Sequence, residues 1–139
     1  MQKRRAFFKT AAKLGAGGAM ASMAMAAAAG GRTRAPGGIR VGNLFFSSGL
    51  TGVRPGNDIR EQTRIVLESH KQNLEKMGSG LENVIKVTVF LADVRKEKPA
   101  MNEVYAQFFP KDAPARSAFG VEFPDDATRV EIELVAWVP

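Results

Sequence analysis

The clearest candidates for chemistry are one arginine and two glutamates near the C-terminal end of the chain. Arg116 lies in the small-residue stretch 114–121, and Glu131 and Glu133 lie in the apolar stretch 130–138. We expect the two stretches to form neighbouring strands of a hairpin, with both glutamates on one strand face. Arginine matches a carboxylate with two parallel donors, so Arg116 is suited to hold a ligand carboxylate. The alternative is a structural ion pair between Arg116 and one glutamate, and the sequence does not fix the register that decides which.

Histidine, cysteine and metal chemistry have little support in this sequence. It contains one histidine and no cysteine, which excludes disulfides, a thiolate nucleophile and a zinc–thiolate site. His70 falls on the apolar stripe of a predicted helix, at helical spacing from Val66 and Leu74. We therefore predict a structural role for His70 rather than a role as general base. We predict neither a metal site nor a Ser-His-Asp triad.

The net charge of +6 is concentrated at the start of the chain. Residues 1–30 contain five basic residues and no acidic residue. Of the 20 basic residues, 15 remain in residues 31–139, against 14 acidic residues, so this part is near neutral. A nucleic-acid partner needs a clustered basic surface, and the sequence of this part contains no basic cluster. We expect no nucleic-acid partner.

The first 29 residues have the layout of an export signal. Arg4-Arg5 precede two phenylalanines, and residues 14–29 form an uncharged run of mostly small residues. A basic start, a weakly apolar middle and an Ala-x-Ala end are typical of secretion signals, and the paired arginines resemble a twin-arginine signal. We expect cleavage of this segment, no stable membrane insertion afterwards, and a periplasmic or secreted protein. The alternatives are a basic cytoplasmic tail and a retained membrane anchor.

The body of the chain alternates between strand and helix patterns. Residues 30–38 are rich in Gly, Pro and Arg and are predicted to be an irregular lead-in, followed by one domain over residues 39–139. The first helix should begin at the capping-box residue Asp58, and the second near Pro99. The expected strands are 39–41, 44–50, 84–91, 114–121 and 130–138. The order β-β-α-β-α-β-β predicts an α+β sandwich, with one mixed sheet and both helices on one face.

The last expected strand has one apolar face and one mixed face. Its alternate residues from Val130 to Val138 are apolar and suit the helix side of the sheet. The opposite face combines Glu131 and Glu133 with Val135 and Trp137. Such a face is neither a normal core nor a fully solvated surface. We therefore expect another subunit to cover it.

Several segments, in this order, resemble the RidA (YjgF) family of reactive-intermediate imine deaminases. They run from about Gly38 to Trp137 and cover nearly all of the chain after the expected signal. The segments are Gly42-Asn43-Leu44 with Ser47-Ser48-Gly49, residues 84–91, Met101-Asn102-Glu103-Val104-Tyr105, Pro114-Ala115-Arg116-Ser117-Ala118 and Val130-Glu131-Ile132-Glu133. Each segment alone is a weak signal, whereas the ordered set is specific.

The resemblance implies a fold, an assembly and a reaction. The fold is chorismate-mutase-like, and the assembly is a homotrimer with a central barrel and a ligand cleft at each subunit interface. The reaction is cofactor-independent hydrolysis of enamines and imines, such as 2-aminoacrylate, to 2-keto acids and ammonia. The alternative is a non-catalytic trimeric binding protein for small carboxylates. Ribonuclease activity has also been attached to the family, but the neutral body and the export signal argue against RNA as the partner.

The resemblance also assigns roles to individual residues. Arg116 would bind the substrate carboxylate, and the backbone at Gly49 would approach the same carboxylate. Glu131 would orient or activate the attacking water, whereas Glu133 is kept as a structural residue. For Gly49 the alternative is a bulge in the strand.

Three further positions match the family near its cleft. Ser48 would donate a hydrogen bond, and Asn102 and Tyr105 belong to a helix segment beside the cleft. For Tyr105, core packing with a satisfied hydroxyl is the alternative.

The chain also departs from the family pattern. The family's cleft tyrosine is replaced by Ala35 or has no counterpart here, Leu50 replaces a frequent glutamine, and Ala118 replaces a common cysteine. The loss of the tyrosine opens one wall of the expected cleft.

Overall fold

Seven strands and two helices build the part of the chain that a computed structural model describes, residues 31–139. The expected export signal, residues 1–29, lies outside the described residues. The strands are β1 (Arg32–Ala35), β2 (Gly38–Val41), β3 (Leu44–Ser47), β4 (Leu50–Thr51), β5 (Val84–Leu91), β6 (Ala115–Gly120) and β7 (Val130–Trp137). The helices are α1 (Ile59–Glu75) and α2 (Val94–Phe108), with a short 3-10 helix at Leu81–Asn83. Within residues 31–139, no helix is long and apolar enough to cross a membrane.

All strands belong to one mixed sheet. The strand order is β1-β2-β3-β7-β5-β6, and β4 pairs separately with β7. The strands β5 and β6 are parallel, and the other pairs are antiparallel. Buried residues of both helices join those of one sheet face in a single apolar core. The predicted α+β architecture, with a mixed sheet and two helices on one face, is confirmed.

The N-terminal segment differs from the irregular lead-in expected at residues 30–38. Residues Arg32–Ala35 form β1 and pair with β2 in a hairpin. The connection is Pro36-Gly37, in which Gly37 has a φ of +73°. Proline fixes the first turn residue and glycine adopts positive φ without steric cost, so this dipeptide closes a tight turn. Pairing with β2 overrides the polar composition of β1.

The ends of α1 follow the predicted signals. The Asp58 carboxylate accepts the N–H of Glu61 at 3.0 Å, and the Glu61 carboxylate accepts the N–H of Asp58 at 3.0 Å. This capping box satisfies two backbone donors that the first turn leaves without helical partners. Gly78 follows the helix with a φ of +72°. The prediction of this helix is confirmed.

The second helix begins earlier than predicted. Asp93 caps α2 by accepting the N–H of Lys96 at 3.0 Å, so the helix starts at Val94. Pro99 lies inside the helix, where it lacks one backbone donor. The predicted start near Pro99 is wrong, because the Asp93 cap forms a full turn ahead of the proline.

The strands β6 and β7 do not form the expected hairpin. β5 lies between them, parallel to β6 and antiparallel to β7. The crossover β5–α2–β6 places β6 at the edge of the sheet. Residues 121–129 then lead to β7 on the other side of β5. The prediction that β6 and β7 are neighbouring strands is wrong, because they pair with opposite edges of β5.

The strand β7 has the two faces predicted from its alternation. Val130, Ile132 and Leu134 are buried on the helix side. The opposite sheet face, called here the open face, has large exposed apolar side chains at Val41, Leu44, Phe46, Phe119 and Trp137. That another subunit covers this face stays a prediction.

Candidate functional site

Arg116 lies on β6, on the side of the sheet that faces the helices. It pairs in register with the buried Val87, and its guanidinium carbon lies 4.5 Å from the ring centroid of Tyr105 on α2. A cation this close to an aromatic face gains about 0.5–2 kcal/mol, depending on its exposure to water. Arg116 makes no salt bridge with the residues in 31–139. The structural ion pair considered from the sequence is therefore absent within this part of the chain.

An open pocket of about 350 Å³ lies beside the Arg116 guanidinium. Its lining residues are Asn102, Tyr105, Ala106, Phe109, Ala113, Pro114 and Arg116. Three of the predicted site residues, Arg116, Asn102 and Tyr105, thus line one pocket. Two small alanines in the wall leave space next to the guanidinium.

Tyr105 and Asn102 each present a buried polar atom without a partner in the described part of the chain. The Tyr105 ring packs 4.7 Å from that of Phe109, and its side chain is buried. The Tyr105 hydroxyl and Asn102 Oδ1 have no hydrogen-bond partner within residues 31–139. Burial raises the pKa of Tyr105 to about 12, against the opposing effect of the Arg116 cation. Tyr105 therefore packs in the core, as the alternative interpretation expects, but its hydroxyl lacks the partner within residues 31–139 that this interpretation also expects. Its ring contacts the predicted carboxylate-binding arginine.

Glu131 and Gly49 come together at the junction of β4 and β7. In this pairing Thr51 lies opposite Glu131 and Leu50 opposite Ile132. A Cβ atom added to Gly49 would collide with the Glu131 carboxylate. Only glycine leaves room for this close approach. The structure thus places two predicted site residues in contact, away from Arg116.

Ser48 lies beside this contact, on the exposed surface. Its backbone N–H donates to the carbonyl of Gly37 in the β1–β2 turn at 2.8 Å. This bond continues the pairing of β2 with β3, in which Gly38 lies opposite Ser47. Ser48 is thus held next to the β1–β2 turn, one residue before the Gly49–Glu131 contact.

A bulge separates β3 from β4. Three residues, Ser47 to Gly49, oppose only two residues of β7, because the flanking pairs are Phe46↔Val135 and Leu50↔Ile132. The Ser47 hydroxyl accepts the N–H of Leu134 at 2.8 Å and so replaces a ladder bond. The bulge interpretation of Gly49 and its predicted place in the site are thus compatible. Ser47 was not predicted as a site residue, and only the Ser-Ser-Gly sequence inside a strand hinted at it.

Arg116 and Glu131 lie on opposite faces of the sheet. Arg116 is in register with Val87, whereas Glu131 is in register with Phe90 of the same strand. Strand residues separated by three positions point to opposite faces. Glu133 shares the face of Glu131, so neither glutamate faces Arg116 within one chain. The expectation that they would be direct neighbours is wrong for the single chain.

Glu133 lies in a polar region on the open face. It is in register with Thr88, and both line a pocket of about 280 Å³ with Lys86. The Lys86 ammonium donates to the Ser117 hydroxyl at 2.7 Å. This region is separate from the Arg116 pocket. The structural role of Glu133 stays a prediction.

His70 is buried in the core, where its Nε2 lies 2.8 Å from the carbonyl oxygen of Ile132. A carbonyl oxygen only accepts, so Nε2 carries a proton and donates it to this hydrogen bond. Burial lowers the pKa of His70, and the hydrogen bond to Ile132 opposes this effect. The histidine has a structural contact, in agreement with the prediction. Within residues 31–139, no group of three His, Cys, Asp or Glu side chains is suited to hold a metal ion.

The three departures from the family pattern are all partly buried positions. Ala35, Leu50 and Ala118 pack against the apolar core. Ala35 is the last residue of β1, directly before the Pro36-Gly37 turn. Ser48 bonds to that turn, so Ala35 lies close to it.

Comparison with known proteins places the chain in one family. A sequence profile described as Endoribonuclease L-PSP matches residues 27–138. A RutC family protein of Pyrococcus horikoshii is 41% identical over 105 residues, which cover 71% of this chain and 82% of that protein. Human 2-iminobutanoate/2-iminopropanoate deaminase is 32% identical over 104 residues, which cover 70% of this chain and 75% of that protein.

The fold agrees with these sequence matches. The crystal structure of a Mycobacterium tuberculosis member of the YjgF/YER057c/UK114 family superposes with a TM-score of 0.67 at 32% identity, and the match covers 73% of this chain and 85% of that one. The matched profile spans every strand and helix described above. This chain therefore belongs to the Endoribonuclease L-PSP family, which is also the family of the RidA, RutC and YjgF proteins.

Proposed function

We propose that this protein hydrolyses small imines and enamines that carry a carboxylate, such as 2-aminoacrylate. The observation that carries the proposal is the Arg116 guanidinium, which borders an open pocket and has no carboxylate partner within residues 31–139. A guanidinium binds a carboxylate through two parallel hydrogen bonds. The human relative named as a 2-iminobutanoate/2-iminopropanoate deaminase supports the same class of reaction.

In this reaction Arg116 and the backbone at Gly49 hold the substrate carboxylate. An enamine such as 2-aminoacrylate first takes its imine form, by transfer of a proton from nitrogen to the terminal carbon. Glu131 orients a water molecule and accepts its proton as the oxygen attacks the imine carbon. The proton that Glu131 accepts from water passes to the nitrogen of the carbinolamine that the attack forms. The carbinolamine hydroxyl then gives up the second water proton as the C–N bond breaks, so the nitrogen leaves as ammonia and a 2-keto acid remains. Imines of this kind hydrolyse unaided, so the site has only to orient the reactants and transfer a proton, without a cofactor.

We propose further that each site combines residues of two subunits in a homotrimer. Arg116 and Glu131 lie on opposite sheet faces, so one substrate can contact both only if a second chain supplies one of them. The exposed apolar side chains of the open face, including Phe46 and Trp137, support burial of this face against another copy.

A complementation experiment tests the shared site. Arg116→Ala and Glu131→Ala variants are purified, mixed in equal amounts, unfolded and refolded together. Random trimers would contain about one quarter of interfaces with both wild-type residues, so about a quarter of the activity should return. No recovery in mixed trimers, confirmed by mass, would contradict a site shared between subunits.

A non-catalytic binding protein for small carboxylates is the second candidate. The loss of the family's cleft tyrosine favours it, because that side chain would close one cleft wall. The family description names an endoribonuclease, but the near-neutral charge of residues 31–139 does not support RNA as the natural partner.

The decisive assay mixes the protein with freshly generated 2-aminoacrylate and follows keto-acid formation. We expect acceleration over buffer that is largely lost in Arg116→Ala when the substrate concentration is below the wild-type KM. Arg95→Ala, which changes an exposed arginine on α2, serves as the matched control and should keep full activity. If the wild-type protein binds pyruvate but gives no acceleration, the binding-protein alternative replaces the deaminase.

We also propose that residues 1–29 direct export through the twin-arginine route to the periplasm or beyond. The support is the Arg4-Arg5 pair ahead of an uncharged Ala-rich run. Replacement of both arginines by lysine should leave the precursor in the cytoplasm. Normal export of this variant would contradict the proposed route.

A further inference from the structure

Two buried polar side chains of α1 contact the backbone on either side of Glu131, one just before β7 and one within it. Gln62 Oε1 accepts the N–H of Arg129 at 3.0 Å, and its Nε2 donates to the carbonyl of Ala127 at 2.9 Å. His70 Nε2 donates to the carbonyl of Ile132 at 2.8 Å. Both side chains are 1% exposed. The segment that bears Glu131 is therefore attached to the helix at two points.

The spacing of these contacts matches the geometry of the two elements. Gln62 and His70 are eight residues apart, which corresponds to about 12 Å along a helix. Arg129 and Ile132 are three residues apart, which corresponds to about 10 Å along a strand. A rigid helix can therefore make both contacts at once and fix the position of β7 along the helix axis.

One edge of β7 is interrupted two residues beyond Glu131, opposite Glu133 and Leu134, whereas the other edge pairs with β5 from Val130 to Val135. The bulge from Ser47 to Gly49 removes regular pairing at Leu134, whose N–H bonds to the Ser47 hydroxyl instead. A carbonyl has two lone pairs, so the Ile132 oxygen can accept from His70 in addition to any bond within the sheet. The Glu131 carboxylate touches Gly49 on the bulge, so a small shift of the strand would move it off this contact.

We propose that His70 is a positioning residue, which fixes β7 at Ile132 and thereby holds the Glu131 carboxylate against Gly49. This inference rests on the proposed function, in which Glu131 orients the attacking water. His70 itself touches no reacting atom, because it is enclosed in the core. The bulge removes regular strand pairing next to Ile132. The hydrogen bond from His70 gives this part of β7 an additional contact on the helix side.

Substitution of the donor should lower kcat. Loss of folded protein would lower the apparent kcat in the same way, so rates are compared per amount of folded protein, measured by circular dichroism. In His70→Leu the ring is replaced by an apolar side chain without a donor, and kcat should fall about tenfold through misorientation of Glu131. The KM should change little, because the Arg116 pocket is untouched. His70→Gln can place an N–H donor at the same reach and should recover most of kcat.

Thr63→Val is the matched control. Thr63 is buried on the same helix, but its hydroxyl bonds to the Ile59 carbonyl within α1. Its removal should leave kcat unchanged. If His70→Leu does not fold, His70→Met, which also lacks a donor, takes its place in the comparison.

Amide hydrogen exchange gives a readout that does not depend on activity. His70→Leu should increase exchange of the Glu131 and Thr51 amides, whereas Thr63→Val should not, and His70→Gln should restore protection. Unchanged exchange in His70→Leu, or equal loss of kcat in the Leu and Gln variants, would overturn the positioning role. If the wild-type protein lacks deaminase activity, the proposed function fails, and the exchange comparison still decides whether His70 holds this segment.

Discussion

Replacement of Gly49 by alanine should displace the Glu131 carboxylate. The new methyl group would occupy the position of that carboxylate. Gly49 is not among the glycines with positive φ, so the backbone tolerates alanine and the effect comes from the collision alone. Glu131 is only partly buried and its side chain is flexible, so we expect it to rotate away from the bulge.

The magnitude follows from two opposing contributions. Extra methyl groups in filled sites cost about 1–3 kcal/mol, and the low end, about 1 kcal/mol, applies here because the colliding group is a flexible side-chain end. Alanine also restricts the unfolded chain, which stabilises the protein by about 0.4–1 kcal/mol. Gly49→Ala alone should therefore leave the free energy of unfolding almost unchanged.

The collision disappears when the glutamate is shortened. In a Glu131→Ala background, Gly49→Ala should raise the free energy of unfolding by about 0.4–1 kcal/mol. The double-mutant cycle should thus give a coupling energy of about 1 kcal/mol, measured by urea denaturation of the four proteins. In the wild-type background kcat should fall about tenfold, because the displaced carboxylate no longer orients the water.

Additive free energies in this cycle would refute the contact between Gly49 and Glu131. Full deaminase activity of Gly49→Ala would refute the role of that contact in catalysis. The free energies of unfolding and the deaminase activity are measured independently. The contact between Gly49 and Glu131 can therefore be confirmed even if the protein does not catalyse the proposed reaction.

Three further predictions concern charge and protonation. Arg116→Ala should raise KM about a hundredfold through loss of charge-assisted hydrogen bonds to the substrate carboxylate, with Arg95→Ala as the unaffected control in steady-state kinetics. Tyr105 is the only tyrosine in the chain, so an ultraviolet absorbance titration should show a pKa near 12, and removal of the Arg116 cation should raise it further. A tyrosine that titrates at its ordinary pKa would contradict the burial of Tyr105 between α2 and the sheet. The folded-state pKa of His70 lies below the unfolded value of 6.5, so the unfolded chain binds more protons than the folded chain near this pH. The free energy of unfolding should therefore decrease as the pH falls below about 6.5. Urea denaturation at several pH values should show a weaker decrease in His70→Leu.

Local signals in the sequence were sufficient for several elements. The Asp58 capping box, the helical stripe of α1 and the alternation along β7 depend on neighbours a few residues away, so the sequence contains them in full. The same holds for the burial of His70, which the helical stripe already indicated.

Other elements depended on contacts between distant segments. The polar strand β1 forms because β2 pairs with it, and α2 begins at the Asp93 cap although proline is more common in a first turn. For the site, the sequence and its family resemblance identified Arg116, Gly49, Glu131 and Tyr105. They did not identify Ser47, whose contact with β7 follows from the bulge.

The sequence by itself determined which residue types were available and indicated most of the strands and both helices around them. Only the tertiary structure decided that β5 separates β6 from β7 and that Arg116 points to the helices while Glu131 points away from them. The physical reason is that side chains alternate along a strand, so a register set by long-range pairing decides the face of every residue. No local pattern fixes that register, because it depends on which edge of the central strand each segment occupies.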